Sequence, residues 1–188
     1  MEYLQIFFLV INLLMYAYSS YSSNVIRSSS LVPKLVIENG EYHRLILHTL
    51  CHGNILHLFL NMSILIRLIS TLNYRINIIK FMFFLLITYN LVYLSFAFIL
   101  KSFFNYPFSY YNGCIGFSGL IFGLMYFNGL LNSGRTININ GMLIPAQYQV
   151  FYTLLFSQIM MPNVSFLGHF SGIIAAGLLL KFSGISFI

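Results

Sequence analysis

The chain contains no aspartate, and its only acidic residues are Glu2, Glu38 and Glu41. Chemistry that needs two carboxylates facing each other inside a membrane therefore has no side chains to work with. Charge of either sign is scarce: 6% of the 188 residues are charged and 59% are hydrophobic, whereas a soluble domain carries about a quarter charged. Water is thereby excluded as the main solvent of the chain. Nine Lys and Arg residues are scattered singly between apolar runs, so no basic patch to grip phosphates is expected, and no nucleic-acid partner. Spread in this way they read as flanks of membrane-spanning helices and as contacts to lipid head groups. The two cysteines, Cys51 and Cys114, supply neither a disulfide framework nor metal-ligand spacing, although a disulfide between them stays open. No His-Glu-x-x-His motif is present. His48 and His52 are four apart but lack a neighbouring Glu or thiolate pair, so neither a metal nor another cofactor is expected.

What the sequence has instead is apolar length. A bilayer crossing takes about 20 residues, fewer where protein surrounds the helix. Six candidate spans follow: roughly Glu2 to Ser19, Leu45 to Ile69, Ile76 to Leu100, Gly113 to Leu131, Gln147 to Met161 and Phe166 to Phe182. Polar and turn-forming residues gather between them. The apolar run from Leu4 to Tyr18 lacks a basic leader and a small-residue cleavage site, and reads as a retained helix. The expected fold is all-α, a polytopic six-helix membrane bundle forming a single domain over residues 1–188. With six spans, Arg67, Arg75, Lys80, Arg135 and Lys181 share a side with both termini, against Arg27, Lys34, Arg44 and Lys101 opposite. The positive-inside rule then makes the termini cytoplasmic.

Ionisable groups inside a membrane are costly and usually mark function. His52, His57 and Asn61 fall in the first half of the second span, Ser118 about five residues into the fourth, and His169 about three into the sixth. Even-numbered spans enter from one face, so these residues are expected in one shallow layer. Small residues four apart allow helices to approach closely; the fourth span offers Gly119 and Gly123, with Gly116 a turn earlier, and the sixth offers Gly168, Gly172 and Ala176.

A lone membrane serine more often bonds within its own helix, and a lone helix-start histidine more often meets head groups. Their alignment, with glycines flanking the serine, favours catalysis: Ser118 as nucleophile and His169 as its base. No acid is placed to serve as a third member, so the expected machinery is a dyad. His57 and Asn61 share a helix face and, with the backbone N–H of Ser118, could form an oxyanion hole. His52 would assist near its mouth.

These residues resemble the motifs of the rhomboid proteases. Gly116-Phe117-Ser118-Gly119 is similar to that family's Gly-x-Ser-Gly, His52, His57 and Asn61 to its His-x4-His-x3-Asn, and Gly168-His169-Phe170-Ser171-Gly172 to its Gly-His-x-x-Gly. Glu41 to Leu45 resembles the family's lead into the second helix. The stretch Cys114 to Gly119 looks most like the six-helix rhomboids of the endoplasmic reticulum, which implies that Phe122 packs on the ring of His169. The resemblance runs from about Gly40 to Leu180 and departs after the second span, where Arg67 to Arg75 lacks the family's Gly and Glu. It implies a six-helix rhomboid bundle, peptide-bond hydrolysis in transmembrane protein substrates within the bilayer, no cofactor, and an endoplasmic reticulum or other secretory-pathway membrane. The alternative from another class is a catalytically inactive, derlin-type binder of membrane proteins in quality control.

Overall fold

The structure is a computed structural model that describes residues 2–139 and 141–182. Its helices are α1 (Glu2–Tyr21), α2 (Ser23–Ser29), α3 (Pro33–Asn39), α4 (Arg44–Leu50), α5 (Ile55–Leu72), α6 (Ile78–Phe104), α7 (Phe108–Tyr111), α8 (Ser118–Leu131), α9 (Gln149–Met160) and α10 (Phe166–Phe182). Among the described residues, Tyr3–Tyr21, Ile55–Leu72 and Ile78–Phe104 are long and apolar enough to cross a membrane, and α8 and α10 are apolar but shorter. In α8 every residue from Gly119 to Met125 is buried. A helix faced by protein rather than lipid needs less apolar length. The fold is that of a polytopic helical membrane protein.

Two expectations are corrected. The second span is not one helix: it breaks between α4 and α5, at Cys51–Asn54. Asn54 Oδ1 accepts the backbone N–H of His57 at 2.8 Å, which caps the start of α5 in the way Asn does best. Secondly, Ser118 opens α8 instead of lying five residues inside it. The residues before it are held extended, with Leu31 and Cys114 exchanging backbone hydrogen bonds at 3.0 and 3.3 Å, and Gly116 sits at φ +105°, outside any helix. The connections carry short elements of their own. Residues 23–39 carry α2 and α3, and Thr136–Ile139 (β1) pairs antiparallel with Met142–Pro145 (β2) in a small hairpin, Ile137 opposite Ile144.

The chain forms two compact units, residues 1–70 with 93–118, and residues 71–92 with 119–188. In the first, Leu31, Cys51, Leu58, Leu65, Tyr93 and Tyr110 are almost fully buried. Phe8 of α1 meets Phe117 edge-on at 5.5 Å. Arg44 is a polar anchor: buried, it donates Nε and Nη2 to Glu41 Oε2 at 2.8 and 2.6 Å, and Nη1 to the carbonyl oxygens of Arg27 and Ser30 at 2.9 and 2.8 Å. All four of these hydrogen bonds are charge-assisted, to a carboxylate or to backbone carbonyl acceptors, which is how a buried guanidinium is tolerated. On the outside of α1, Phe7, Leu14 and Tyr18 stand exposed, as a lipid-facing helix requires.

In the second unit, Phe81 stacks on Phe127 at 4.5 Å, and α8 packs on α10 through small residues. A Cβ on Gly172 would land on the carbonyl oxygen of Gly119, and one on Gly123 would lie 2.9 Å from the carbonyl oxygen of Gly172. The expected small-residue packing is therefore carried by Gly119, Gly123 and Gly172. Gly168 instead faces Ser165 and the hydroxyl of Tyr89.

Candidate active site

In the first unit, Gly116, His57 and Asn61 belong to one small neighbourhood. His57 and Asn61, one turn apart on α5, turn the same way, and the bare backbone of Gly116 rests against both. A Cβ at 116 would sit 2.7 Å from His57 Cε1, 2.8 Å from His57 Nε2 and 3.3 Å from Asn61 Nδ2. No side chain fits there, and the positive φ would strain any L residue. Gly116 is fixed from its other side as well, its N–H donating to the carbonyl oxygen of His48 at 2.8 Å. Ser118, half-buried, follows two residues later.

Asn61 is 5% exposed, and its Nδ2 is buried with no hydrogen-bond acceptor among the described residues. A buried amide donor without a partner is costly, and protein interiors rarely leave one. Here it lies beside the glycine that leads into Ser118. His52 is fully buried in the break between α4 and α5, not on the helix that was expected to carry it. Its ring meets that of His57 edge-on at 5.0 Å, and its Nδ1 lies 3.3 Å from the carbonyl oxygen of Leu50. It therefore props His57.

The second unit holds the other half of the expected set. His169 is the fourth residue of α10, buried, and its ring stacks on Phe122 of α8 at 4.3 Å with 22° between planes. Phe122 thus occupies the place the resemblance implied. Ser165 caps α10, its Oγ accepting the N–H of Gly168 at 3.0 Å and its carbonyl accepting the N–H of His169 at 3.1 Å. That cap fixes where along α10 the imidazole projects. Gly119 lies against Tyr89 of α6, whose hydroxyl oxygen is 2.8 Å from where a Gly119 Cβ would be and 3.5 Å from where a Gly168 Cβ would be.

Asn54, Ser165 and Tyr89 were not singled out from the sequence. The first two carry a visible signal, an Asn or Ser just before an apolar helical run. Tyr89 carries none, being one of 14 tyrosines. Cys51 and Cys114 are both buried and are not joined in a disulfide. Among the described residues no group of three His, Cys, Asp or Glu side chains is gathered for a metal.

Long apolar helices of this kind define the class, a polytopic helical membrane protein. Residues 39–186 match the family model described as Rhomboid domain, and the chain belongs to the rhomboid family. It is similar to Rhomboid-like protein 14, mitochondrial, of Arabidopsis thaliana, at 34% identity over 94% of this chain and 54% of that protein. It is also similar to Rhomboid-like protein 15 of Arabidopsis thaliana, at 29% identity over 77% of this chain and 37% of that protein, and to Rhomboid-related protein 4 of Homo sapiens, at 28% over 78% and 48%. The chain spans about half the length, or less, of these relatives.

Proposed function

We infer that the chain is an intramembrane serine endopeptidase acting through a Ser118–His169 dyad on transmembrane protein substrates. The observation that carries this reading is the clasp of His57 and Asn61 around the backbone of Gly116, two residues before Ser118, with the Asn61 amide buried and unsatisfied. An oxyanion hole has this form, because its donors must be in place before the charge develops. Further support comes from the stacking of His169 on Phe122 and from the close packing of the helices that carry the two residues, through Gly119 and Gly172.

In the reaction, Ser118 Oγ attacks the scissile carbonyl carbon while His169 takes its proton. The carbonyl oxygen gathers negative charge and is met by the backbone N–H of Ser118, by Asn61 Nδ2 and by His57. His169 returns the proton to the departing amine, leaving an acyl-Ser118 ester. Water, deprotonated by the same imidazole, hydrolyses the ester and restores the hydroxyl. Membrane-spanning substrates suit an enzyme embedded in the bilayer, and a helix-weakening Gly or Pro near the cut exposes the peptide bond. The proposed address is a secretory-pathway membrane; fractionation of a tagged chain with mitochondria, the location that Rhomboid-like protein 14, mitochondrial, is named for, would overturn it.

The test is labelling of the detergent-purified protein by a fluorophosphonate, with cleavage of a transmembrane model substrate followed in parallel. Wild type should label and cleave, Ser118→Ala should do neither, and His169→Ala should lose cleavage while keeping its melting temperature. Labelling that survives Ser118→Ala, or a folded wild type that neither labels nor cleaves, would assign the chain to the membrane-protein binders instead.

A further inference from the structure

An open cavity of about 660 Å³ lies in the first unit, and none of the residues assigned to catalysis above lines it. Its walls come from α2, the start of α3, Arg44, and the chain just after α7. No carboxylate lines it, whereas Arg27, Lys34 and Arg44 all do. These three cations are not equivalent. The guanidinium of Arg44 is spent on Glu41 and on two backbone carbonyls. Arg27 is exposed and Lys34 half-buried, and among the described residues neither has a carboxylate within ion-pair distance; the ion pairs seen are Arg44–Glu41 and Lys101–Glu38.

The remaining polar groups sharpen the preference. Ser28 and Ser30 already donate their hydroxyl hydrogens to the carbonyl oxygens of Val25 and Ile26. Free donors are therefore supplied by Arg27, Lys34, the amide of Asn24 and the hydroxyl of Tyr111. The ammonium of Lys34 stands 5.3 Å from the centre of the Tyr111 ring, a contact that restrains the charge without neutralising it. A concave site with uncompensated positive charge and convergent donors selects an oxyanion.

The cavity also lies at a defined depth. Asn24 follows the end of α1, at Tyr21, by three residues, and Glu38 of α3 reaches Lys101 in the last turn of α6 at 3.6 Å. The same end of the unit exposes Tyr21, Tyr42, Tyr106 and Phe108, aromatic residues of the kind that gather at the head-group layer. There the abundant oxyanion is phosphate. The volume falls within the roughly 300–1,000 Å³ of small-molecule pockets, more than a bare phosphate needs.

We propose that this cavity binds a phosphate-bearing anion, held by Arg27 and Lys34. A lipid head group and free phosphate share that chemistry, and the experiment separates them. The full chain, purified in neutral detergent, is titrated with phosphatidylglycerol, with phosphatidylcholine and with inorganic phosphate, reading melting temperature and apparent Kd. Phosphatidylglycerol should bind at least about tenfold tighter than phosphatidylcholine. Arg27→Gln and Lys34→Gln should each weaken it about fivefold, the equivalent of about 1 kcal/mol per basic residue at a lipid surface, with helical content unchanged. Asn24→Asp, which sets a carboxylate at the exposed rim, should weaken it likewise, while Arg67→Gln with Arg75→Gln should leave it as in wild type. Saturation by inorganic phosphate that Arg27→Gln weakens would identify the free anion as a ligand; response to the lipid alone would identify the head group. Equal binding of the two lipids with no response to phosphate, or an Arg27→Gln/Lys34→Gln double variant that binds as wild type does, would overturn the proposal.

Discussion

Gly116 is the residue on which the first half of the site turns. Its φ of +105° suits glycine alone, and an added methyl would overlap the ring of His57. Gly116→Ala should therefore cost about 1–3 kcal/mol in strain and displace His57 as well, seen as a lower melting temperature together with slowed fluorophosphonate labelling. Gly134 is the contrast: nothing lies within 4 Å of its Cβ position, and Gly134→Ala should stay within about 0.5 kcal/mol of wild type. At the same scale, the hydrogen bond from Arg44 holds the Glu41 carboxyl below its ordinary value of 4.5. A carboxyl lowered by folding adds stability that is complete above its ordinary pKa and is lost as pH falls through the lowered value. Thermal melts should thus show a loss below about pH 4.5 that Glu41→Gln removes; parallel acid profiles for the two proteins would contradict the pairing. The pair is partly exposed, so the effect should be small.

The elements show which local signals govern and which are overridden. Apolar length predicts α1, α6 and α10 closely, because lipid-facing helices have nothing else to satisfy their backbone. It misplaces the start of α8, where Gly116 and the Leu31–Cys114 bridge hold the chain extended up to Ser118. It also runs α4 and α5 together across Cys51–Asn54, although Asn54 carries a capping signal that hydropathy does not weigh. Two glycine substitutions separate tight from open packing. Gly172→Ala drives a methyl into the carbonyl of Gly119 and should cost about 1–3 kcal/mol, whereas Gly53→Ala meets only Ile115 Cδ1 at 3.8 Å and should be nearly neutral. Melting temperatures of the two variants in one detergent make the comparison, and equal losses would remove the close approach of α8 and α10 from the account.

For the whole molecule, the cysteines supply a test of the fold. Cys51 and Cys114 are buried and not joined in a disulfide, so the folded protein should react with a maleimide slowly, unfolded protein should take up two equivalents, and reductant should leave the melting temperature unchanged. Rapid double labelling without denaturant would place at least one thiol at the surface.

By itself the sequence settled the solvent, because 6% charge among 59% hydrophobic residues leaves only lipid, and it marked the candidates, because Ser118, His169, His57 and Asn61 are polar groups at a cost in a membrane. Tertiary structure alone decided that Gly116 is wedged against His57 and Asn61, that His52 sits in a helix break, and that Arg27 and Lys34 line a cavity without a carboxylate. The reason is physical: burial cost is a property of each side chain and can be read singly, whereas close approach depends on residues distant in the chain meeting at ångström precision, which no local pattern encodes.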